Sequence, residues 1–166
     1  MLPEYDRYTP RDHVIIEVTK DNFSIPRRAT KMAVGFDLFA TKDTTIRPLD
    51  RQLIGTGIKL QMPNDIEGQV RSRSGLAYKY GVFVLNSPGT IDPDYRGEVK
   101  VLLANMGHLP FDISRGDRIA QLVFSKYEIP SFNHTSVSLY ERGDQGFGSS
   151  GINEEDITNK IDMDTE

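Results

Sequence analysis

The sequence contains no cysteine, no tryptophan and no long apolar run in its 166 residues. Without cysteine there is no disulfide and no zinc–thiolate site, and this composition suits a reducing compartment. No stretch approaches the roughly 20 apolar residues that a membrane helix needs. The polar start, Met1–Arg11, is also unlike the apolar core of a secretory signal. We therefore expect a soluble, cytoplasmic protein that contacts no membrane, or a nuclear one if the source is eukaryotic.

A marked excess of positive charge is also missing, which argues against direct nucleic-acid binding. The net charge is −4, and residues 152–166 contribute −5 through six acidic side chains and one lysine. Residues 1–151 therefore carry +1, the difference between −4 and −5, and show no basic stripe. The acidic end is expected to be a disordered tail or, alternatively, an acidic interaction segment.

Several common catalytic patterns are absent as well. His13, His108 and His134 stand far apart, so no metal-ligand spacing and no catalytic-triad spacing appears. A Walker-type phosphate loop and a dinucleotide-binding glycine pattern are also missing. The three histidines are therefore expected to be structural or solvated.

What the sequence does contain is a β pattern. Helical periodicity is scarce, and short runs of β-forming residues recur between Gly, Pro, Asp and Asn, which predicts an all-β sandwich or barrel. The runs are Val14–Val18, Phe36–Ala40, Leu53–Met62, Gly68–Arg71, Val82–Leu85, Val99–Ala104 and Ile119–Tyr127. One short helix is predicted at Ser74–Tyr80, which begins with serine and precedes Gly81.

Composition divides the chain into three parts. Residues 1–141 carry the β pattern and are predicted to form one domain. Residues 142–151 contain four glycines, too many to anchor a sheet, and are predicted to be a flexible segment unless a ligand orders it. Residues 152–166 form the acidic tail.

Two polar segments stand out first. In Arg71–Ala77, two arginines at i and i+2 on a strand would share a face, and the following Ser-Gly at a helix start suits phosphate oxygens. A strand with solvated arginines and an N-capping Ser74 is the alternative. Asn86–Glu98 is rich in turn residues and predicts a tight hairpin, whose backbone can read a nucleobase edge such as that of uracil. A plain polar turn is its alternative.

Three other segments carry polar side chains in unusual places. Asp37 is a lone carboxylate in the apolar run Ala33–Ala40, which is costly unless it is paired or lies near a metal; an exposed Asp37 is the alternative. Arg115–Leu122 is a turn that leads into a strand, and its simplest interpretation is a surface turn with Asp117 paired to an arginine. In Arg142–Gly151, Phe147 could stack on a base, or the segment is only a linker.

Taken in order, these five segments resemble the five motifs of the trimeric dUTPase family. Ala33–Ala40 is similar to motif one, Arg73–Ala77 to motif two and Asn86–Glu98 to motif three. Arg115–Leu122 is similar to motif four and Arg142–Gly151 to motif five. The resemblance covers roughly residues 25–151, and motif three is the most specific because its Gly-Thr-Ile-Asp-x-x-Tyr-Arg-Gly-Glu run is long.

The resemblance implies a distorted jelly-roll subunit, the β-clip of dUTPases, that forms a homotrimer with active sites shared between subunits. It also implies Mg²⁺-dependent hydrolysis of dUTP to dUMP and pyrophosphate by water attack on the α-phosphorus. This activity would keep uracil out of DNA and supply dUMP for thymidylate synthesis.

The same resemblance assigns roles to individual residues. Asp92 would be the general base, and Asp37 would contact the metal through water. Tyr95 would pack on deoxyribose and exclude a 2′-hydroxyl. The other implied substrate-binding residues are Arg73, Ser74, Gly75, Asn86, Thr90, Ile91, Lys100, Gln121, Arg142, Phe147, Gly148 and Ser149. Residues 142–151 would act as a lid.

The sequence departs from the usual dUTPase motifs at a few positions, and two rival functions share parts of the pattern. Ser72 stands where the family usually has proline, which is expected to loosen the backbone, and Asp144 and Gln145 are unusual in motif five. The related dCTP deaminases share this fold but need a glutamate on the strand after motif three, where this chain has Leu102. A ligand-binding module without turnover is the rival from another class, and intact Asp37, Asp92 and Arg142 argue against it.

Overall fold

The computed structural model describes residues 13–19 and 25–138, and the regular elements in this part of the chain are strands apart from one short helix. Its elements are β1 (Ile15–Val18), β2 (Arg27–Arg28), β3 (Phe36–Phe39), β4 (Thr44–Ile46), β5 (Arg51–Gly55), β6 (Ile58–Gln61), β7 (Ile66–Arg71), α1 (Ser74–Tyr80), β8 (Val82–Val84), β9 (Gly89–Ile91), β10 (Lys100–Asn105), β11 (Phe111–Ile113) and β12 (Arg118–Lys126). The predicted all-β class with one short helix is confirmed.

The strands form four antiparallel sheets. The largest has the order β2-β3-β12-β7-β9, and a three-stranded sheet has the order β5-β10-β8. Two further pairs, β1-β6 and β11-β4, are two-stranded. Neighbours in these sheets are mostly distant in sequence, so residues from remote motifs come to lie side by side.

Most of the predicted runs are strands, but the run Leu53–Met62 is not one strand. It is divided between β5 and β6, which pair with β10 and β1 respectively. Gly57 stands at the break with a φ of 68°, a left-handed conformation that glycine adopts without a steric penalty. The strands β2, β4, β9 and β11 were missed because runs of two or three residues are too short to show alternation.

The core collects side chains from several sheets. Leu38 and Leu122 of the five-stranded sheet and Val101 and Leu103 of the three-stranded sheet are fully buried. One polar side chain, Asn105, is equally buried, and its amide is fully used. Its Nδ2 donates to the carbonyls of Ile46 and Leu109, both at 2.9 Å, and its Oδ1 accepts from the Gly107 N–H at 2.8 Å. These bonds explain why a polar group is tolerated there.

The helix lies where the sequence predicts it, but its start differs in detail. The N-cap residue is Arg73, not Ser74, and no side chain makes a capping hydrogen bond there. At the other end Gly81 adopts φ 68° and its N–H donates to the Ala77 carbonyl, a left-handed cap as expected. The hydroxyl of Ser74 is therefore not consumed by helix capping.

The outward face of the three-stranded sheet carries exposed leucines between Arg51 of β5 and Lys100 of β10. Leu53 of β5 is 61% exposed, and it lies directly opposite Leu102 of β10. Leu85, just after β8, is 46% exposed and its N–H donates to the Leu102 carbonyl at 2.9 Å. Nothing in the described part of the chain covers Leu53 and Leu85, which matters for the oligomeric state considered below.

The chain divides into two compact units at Ile129 and Pro130. All the strands and the helix belong to the first unit. Residues 130–138, the described part of the second, form no regular element and are exposed. The predicted domain end at residue 141, the lid at 142–151 and the tail at 152–166 lie outside the described residues. Within those residues, no helix is long and apolar enough to cross a membrane.

Candidate active site

Asp37 is the centre of a charged cluster at one end of the five-stranded sheet. It lies on β3, its side chain is 13% exposed, and it faces two arginines from other parts of the chain. Asp37 Oδ1 is 3.6 Å from Arg73 Nε, and Asp37 Oδ2 is 3.3 Å from Arg118 Nη1. The prediction that a carboxylate in this apolar strand must be paired is confirmed, and the alternative of an exposed aspartate is wrong.

Arg73 is also held from a second direction. Its Nη1 donates to the backbone carbonyl of Arg118 at 2.6 Å. The predicted pairing of Arg71 with Arg73 on one strand face is wrong, because β7 ends at Arg71 and Arg73 begins the helix. The Arg71 guanidinium instead donates from Nε to Gln69 Oε1 at 3.0 Å. Of the two motif-two arginines, Arg73 therefore lies against Asp37 and Arg71 does not.

Ser72 ties the motif-two segment to two neighbouring strands. Its hydroxyl accepts a hydrogen bond from the Val84 N–H at 2.9 Å, and its carbonyl accepts one from Gln121 Nε2, also at 2.9 Å. Sequence reasoning treated this serine only as a looser substitute for proline. The structure shows an anchoring role that the local pattern does not indicate, because Ser72 stands between two arginines after the end of β7.

Gln121 is placed next to the charged cluster by strand register. On β12 it lies opposite Asp37 of β3 on one side and opposite Arg71 of β7 on the other. Gly35 allows the Gln121 amide to lie there, because a Cβ at position 35 would be 2.1 Å from Gln121 Oε1. The glycine of motif one therefore makes room for the amide of motif four.

The start of α1 completes this group of donors. The N–H groups of Leu76 and Ala77 donate to the Arg73 carbonyl, so Ser74 and Gly75 precede the first hydrogen-bonded turn. A Cβ added at Gly75 would meet no atom within 4 Å, which shows open space above this backbone. The guanidinium groups of Arg73 and Arg118 thus lie against Asp37, with the Gln121 amide on the adjacent strand and the start of α1 directly after Arg73. Such a group of donors around a carboxylate suits a polyanion that binds together with a cation.

Motif three is built differently from its prediction. The expected tight hairpin is wrong, because β9 pairs with β7 and the following strand, β10, pairs with β5 and β8. A turn does follow β9, closed by the Tyr95 N–H donating to the Asp92 carbonyl at 3.1 Å. Asn86 lies beside this segment, since a Cβ at Gly89 would be 3.0 Å from its Nδ2. β9 is consequently an edge strand of the described sheet.

A cavity of about 470 Å³ gathers the motif-three residues. Predicted site residues make up most of its lining. They are Thr90, Ile91, Asp92, Tyr95 and Lys100, together with Leu53, Glu98 and Val99. Asp92 is exposed, so its carboxylate is accessible to water. This volume lies in the range of ligand-binding cavities, which is roughly 300–1,000 Å³.

Within this cavity the ring of Tyr95 is fixed by contacts that the sequence did not reveal. Its hydroxyl donates to the Glu98 carbonyl at 3.1 Å, and a Cβ at Gly97 would be 2.3 Å from that hydroxyl oxygen. The Glu98 carboxylate accepts a hydrogen bond from the Gly57 N–H at 2.9 Å and lies 3.8 Å from Lys100 Nζ. Glu98 thus supports both Tyr95 and Lys100.

The predicted site residues are divided between two cavities of the described part of the chain. Arg73 and Arg118 line a cavity of about 460 Å³ that shares no lining residue with the cavity of Asp92 and Tyr95. Motifs one, two and four meet at Asp37, whereas the motif-three residues line the other cavity. The predicted residues Arg142, Phe147, Gly148 and Ser149 lie outside the described residues.

Comparison with protein families and with known proteins identifies the family of this chain. A family model described as dUTPase matches residues 21–151. The chain is 47% identical over 143 residues to a deoxyuridine 5'-triphosphate nucleotidohydrolase of Ehrlichia canis, covering 83% of this chain and 94% of that one. It is 49% identical over 139 residues to the same-named protein of Cytophaga hutchinsonii, covering 81% and 89% respectively.

Solved structures show the same fold. A dUTPase of Staphylococcus bacteriophage 80alpha with dUPNHPP superposes with a TM-score of 0.77, covering 85% of this chain and 99% of that chain at 24% identity. A dUTPase from phage phi11 of S. aureus gives a TM-score of 0.68 at 20% identity and covers 78% and 99%. The family match over residues 21–151 and the bacterial relatives establish that the chain belongs to the dUTPase family.

Proposed function

We propose that this chain hydrolyses dUTP to dUMP and pyrophosphate, with water attacking the α-phosphorus at a site shared between subunits of a homotrimer. The observation that carries this proposal is that Asp37 and Gln121 lie opposite each other on β3 and β12, with Arg73, the N-cap of α1, beside Asp37. Three motifs that are remote in sequence thereby form one polyphosphate-type site. In a cell this activity would remove dUTP before polymerases use it and would supply dUMP, and we place it in the cytoplasm.

The triphosphate would bind at the cluster around Arg73. Its guanidinium supplies charge-assisted hydrogen bonds, while Ser74 and Gly75 supply backbone N–H groups at the helix start. Gln121 Nε2 carries two hydrogens, and only one is needed for the Ser72 carbonyl, so the second is available for a phosphate oxygen. These donors would hold phosphates without any covalent chemistry.

A magnesium ion fits this cluster only as a companion of the triphosphate. In the described residues no three His, Asp or Glu side chains converge as a metal cage, and Asp37 already faces two arginines. Asp37 would therefore contact the ion through a water molecule. When bound, the ion would neutralise charge on the phosphates and favour attack at phosphorus.

The base and sugar would bind at the motif-three cavity. The backbone of Thr90 and Ile91 on edge strand β9 can present N–H and C=O groups to uracil, whose edge offers acceptor, donor and acceptor in sequence. The amide of Asn86 lies beside the same segment. Cytosine presents an amino donor where uracil has an acceptor, so it would leave buried groups unpaired. Tyr95, held by Glu98 and Gly97, would occupy the space of a 2′-hydroxyl.

Asp92 would activate the attacking water. Its carboxylate is accessible and borders the same cavity as Tyr95 and Lys100. A carboxylate that accepts a proton from water as the water attacks lowers the barrier of the chemical step. Lys100 would contact the substrate from the other side of the cavity. Arg142, Phe147, Gly148 and Ser149 would close over the γ-phosphate and the base as a lid, which completes the site.

A homotrimer would join the two separated parts of the site. The cavity of Asp92 and the cavity of Arg73 have no lining residue in common within one subunit, so a single substrate would take one cavity from each of two subunits. The exposed apolar face around Leu53 and Leu85 supplies a surface whose burial between subunits would be favourable. Threefold symmetry would produce three identical sites from three chains.

The substrate panel tests this proposal directly. With Mg²⁺, we expect pyrophosphate release from dUTP to exceed that from dTTP, dCTP or UTP by roughly a hundredfold or more, because mismatched groups would be left unpaired or would clash. Pyrophosphate is measured with a coupled assay, and EDTA provides the metal-free control. Equal rates on all four nucleotides would contradict the specificity assigned to motif three.

Removal of the proposed base should separate binding from turnover. Asp92→Asn is expected to bind a non-hydrolysable dUTP analogue about as well as the parent chain but to lose about 10²- to 10⁴-fold in kcat. Asp94→Asn is the matched control, because Asp94 lies in the same turn and is equally exposed. Full activity of Asp92→Asn, or the same loss in Asp94→Asn, would remove Asp92 from this role.

Gly97→Ala tests the support of Tyr95. An added Cβ would be 2.3 Å from the Tyr95 hydroxyl oxygen, so the ring must move while the backbone is not strained. We expect the preference for dUTP over UTP, measured as the ratio of kcat/KM values, to fall about tenfold. An unchanged ratio in a variant with unchanged thermal stability would show that the ring position does not discriminate the sugar.

The oligomeric state is tested by light scattering. We expect a particle of three times the 18.7 kDa chain mass. Leu53→Glu should dissociate it, because a charge would be buried in the proposed interface. Met32→Glu is the control, since Met32 is 86% exposed on a turn that is not part of the three-stranded sheet. A parent chain that is monomeric yet fully active would contradict the shared site.

A further inference from the structure

Arg118 owes its position to an irregularity in strand β12. Residues that lie directly opposite one another in an antiparallel pair share a face of the sheet. Gln121 is opposite Asp37, and Arg118 is three residues away, so regular alternation would turn Arg118 to the opposite face. The register shifts between Arg118 and Ala120, and Arg118 lies opposite Phe39 instead of Ala40. The bulge thus places Arg118 on the face of Asp37.

Bulges of this kind often re-aim a side chain near a functional site. Here the bulge gives Arg118 two contacts within the polyphosphate cluster. Its Nη1 lies 3.3 Å from Asp37 Oδ2, and its carbonyl accepts the hydrogen bond from Arg73 Nη1 at 2.6 Å. The side chain of Arg118 is half exposed, whereas that of Asp37 is largely buried, so water is excluded mainly from the carboxylate side of the ion pair. Arg118 therefore contacts both Asp37 and Arg73.

We propose that Arg118 is a positioning residue that keeps Asp37 from neutralising Arg73. The inference rests on the proposed triphosphate site. A lone carboxylate beside a lone arginine favours a two-pronged ion pair, which would occupy the guanidinium edge that phosphate needs. With Arg118 on its other oxygen, Asp37 engages Arg73 only at 3.6 Å, while the Arg118 carbonyl holds Nη1. The cluster keeps a net positive charge and a fixed Arg73.

This role predicts an effect on triphosphate binding more than on the chemical step. In Arg118→Gln, the carboxylate of Asp37 is free to close on Arg73 and compete with phosphate. We expect the KM for dUTP to rise about tenfold, with kcat falling by a smaller factor. Arg118→Lys restores the charge but not the planar guanidinium, so it should recover part of the loss.

Arg71→Gln is the charge-matched control. Arg71 lies opposite Gln121 on the same sheet face, but its guanidinium is bound to Gln69 rather than to Asp37. If positive charge near the site were all that mattered, both glutamine variants would weaken binding equally. We expect Arg71→Gln to change the KM for dUTP by less than about threefold, because an exposed charge is largely screened by solvent.

A double-mutant cycle tests whether Arg118 acts through Asp37. Asp37→Asn removes the charge that Arg118 restrains, so adding Arg118→Gln to it should change KM by less than about twofold. The same tenfold loss in both backgrounds would show that Arg118 does not act through Asp37, and no loss in either would overturn the proposal outright. Circular dichroism and light scattering confirm that each variant is folded and assembled.

Binding of inorganic tripolyphosphate, followed by calorimetry, separates this inference from the proposed function. Weaker binding in Arg118→Gln but not in Arg71→Gln supports the positioning role even if dUTP is not hydrolysed. If the parent chain hydrolyses dUTP but Arg118→Gln binds tripolyphosphate as tightly as the parent chain, the positioning role is wrong and the proposed function is unaffected.

Discussion

The partly buried charge of Asp37 is the constraint on which much of this structure depends. A carboxylate with 13% of its side chain exposed, inside a strand of apolar neighbours, must be compensated by opposite charge. Two arginines from distant segments supply that charge, and both must be brought to one end of the sheet. The order β3-β12-β7 does this, because it places motifs one and four on adjacent strands and leads from β7 into motif two at Arg73. The charge that the fold must compensate is also the one around which the proposed phosphate donors are arranged.

The second requirement of the site is that two side chains lie directly against the backbone at glycine positions. Gly35 leaves room for the Gln121 amide, and Gly97 leaves room for the Tyr95 ring. Neither glycine has a left-handed backbone, so conformation alone does not require glycine at either position. Their role is to be small where a functional side chain must lie against the backbone. Gly57 and Gly81 differ, because each has a positive φ at the end of an element.

The division of the site between two cavities links chemistry to assembly. Under the proposed function, a subunit with the phosphate donors at one cavity and the base and sugar site at another would be incomplete for one substrate. Its exposed leucines also leave apolar surface in contact with water. Association of identical chains would relieve both deficiencies, so the proposed catalytic unit is larger than one subunit. In that arrangement, substrate binding and subunit packing would depend on the same strands.

The sequence by itself determined the β class, the short helix, most of the long strands and the order of the motifs, because alternation, turn residues and motif chemistry are local. It also indicated that Asp37 needs a partner, which follows from burial alone. Only the tertiary structure decided that β9 pairs with β7, that Ser72 anchors to Val84 and Gln121, and that Arg118 faces Asp37. These depend on register and on one bulge, and a one-residue shift that reverses a side chain's face leaves no mark in the local pattern.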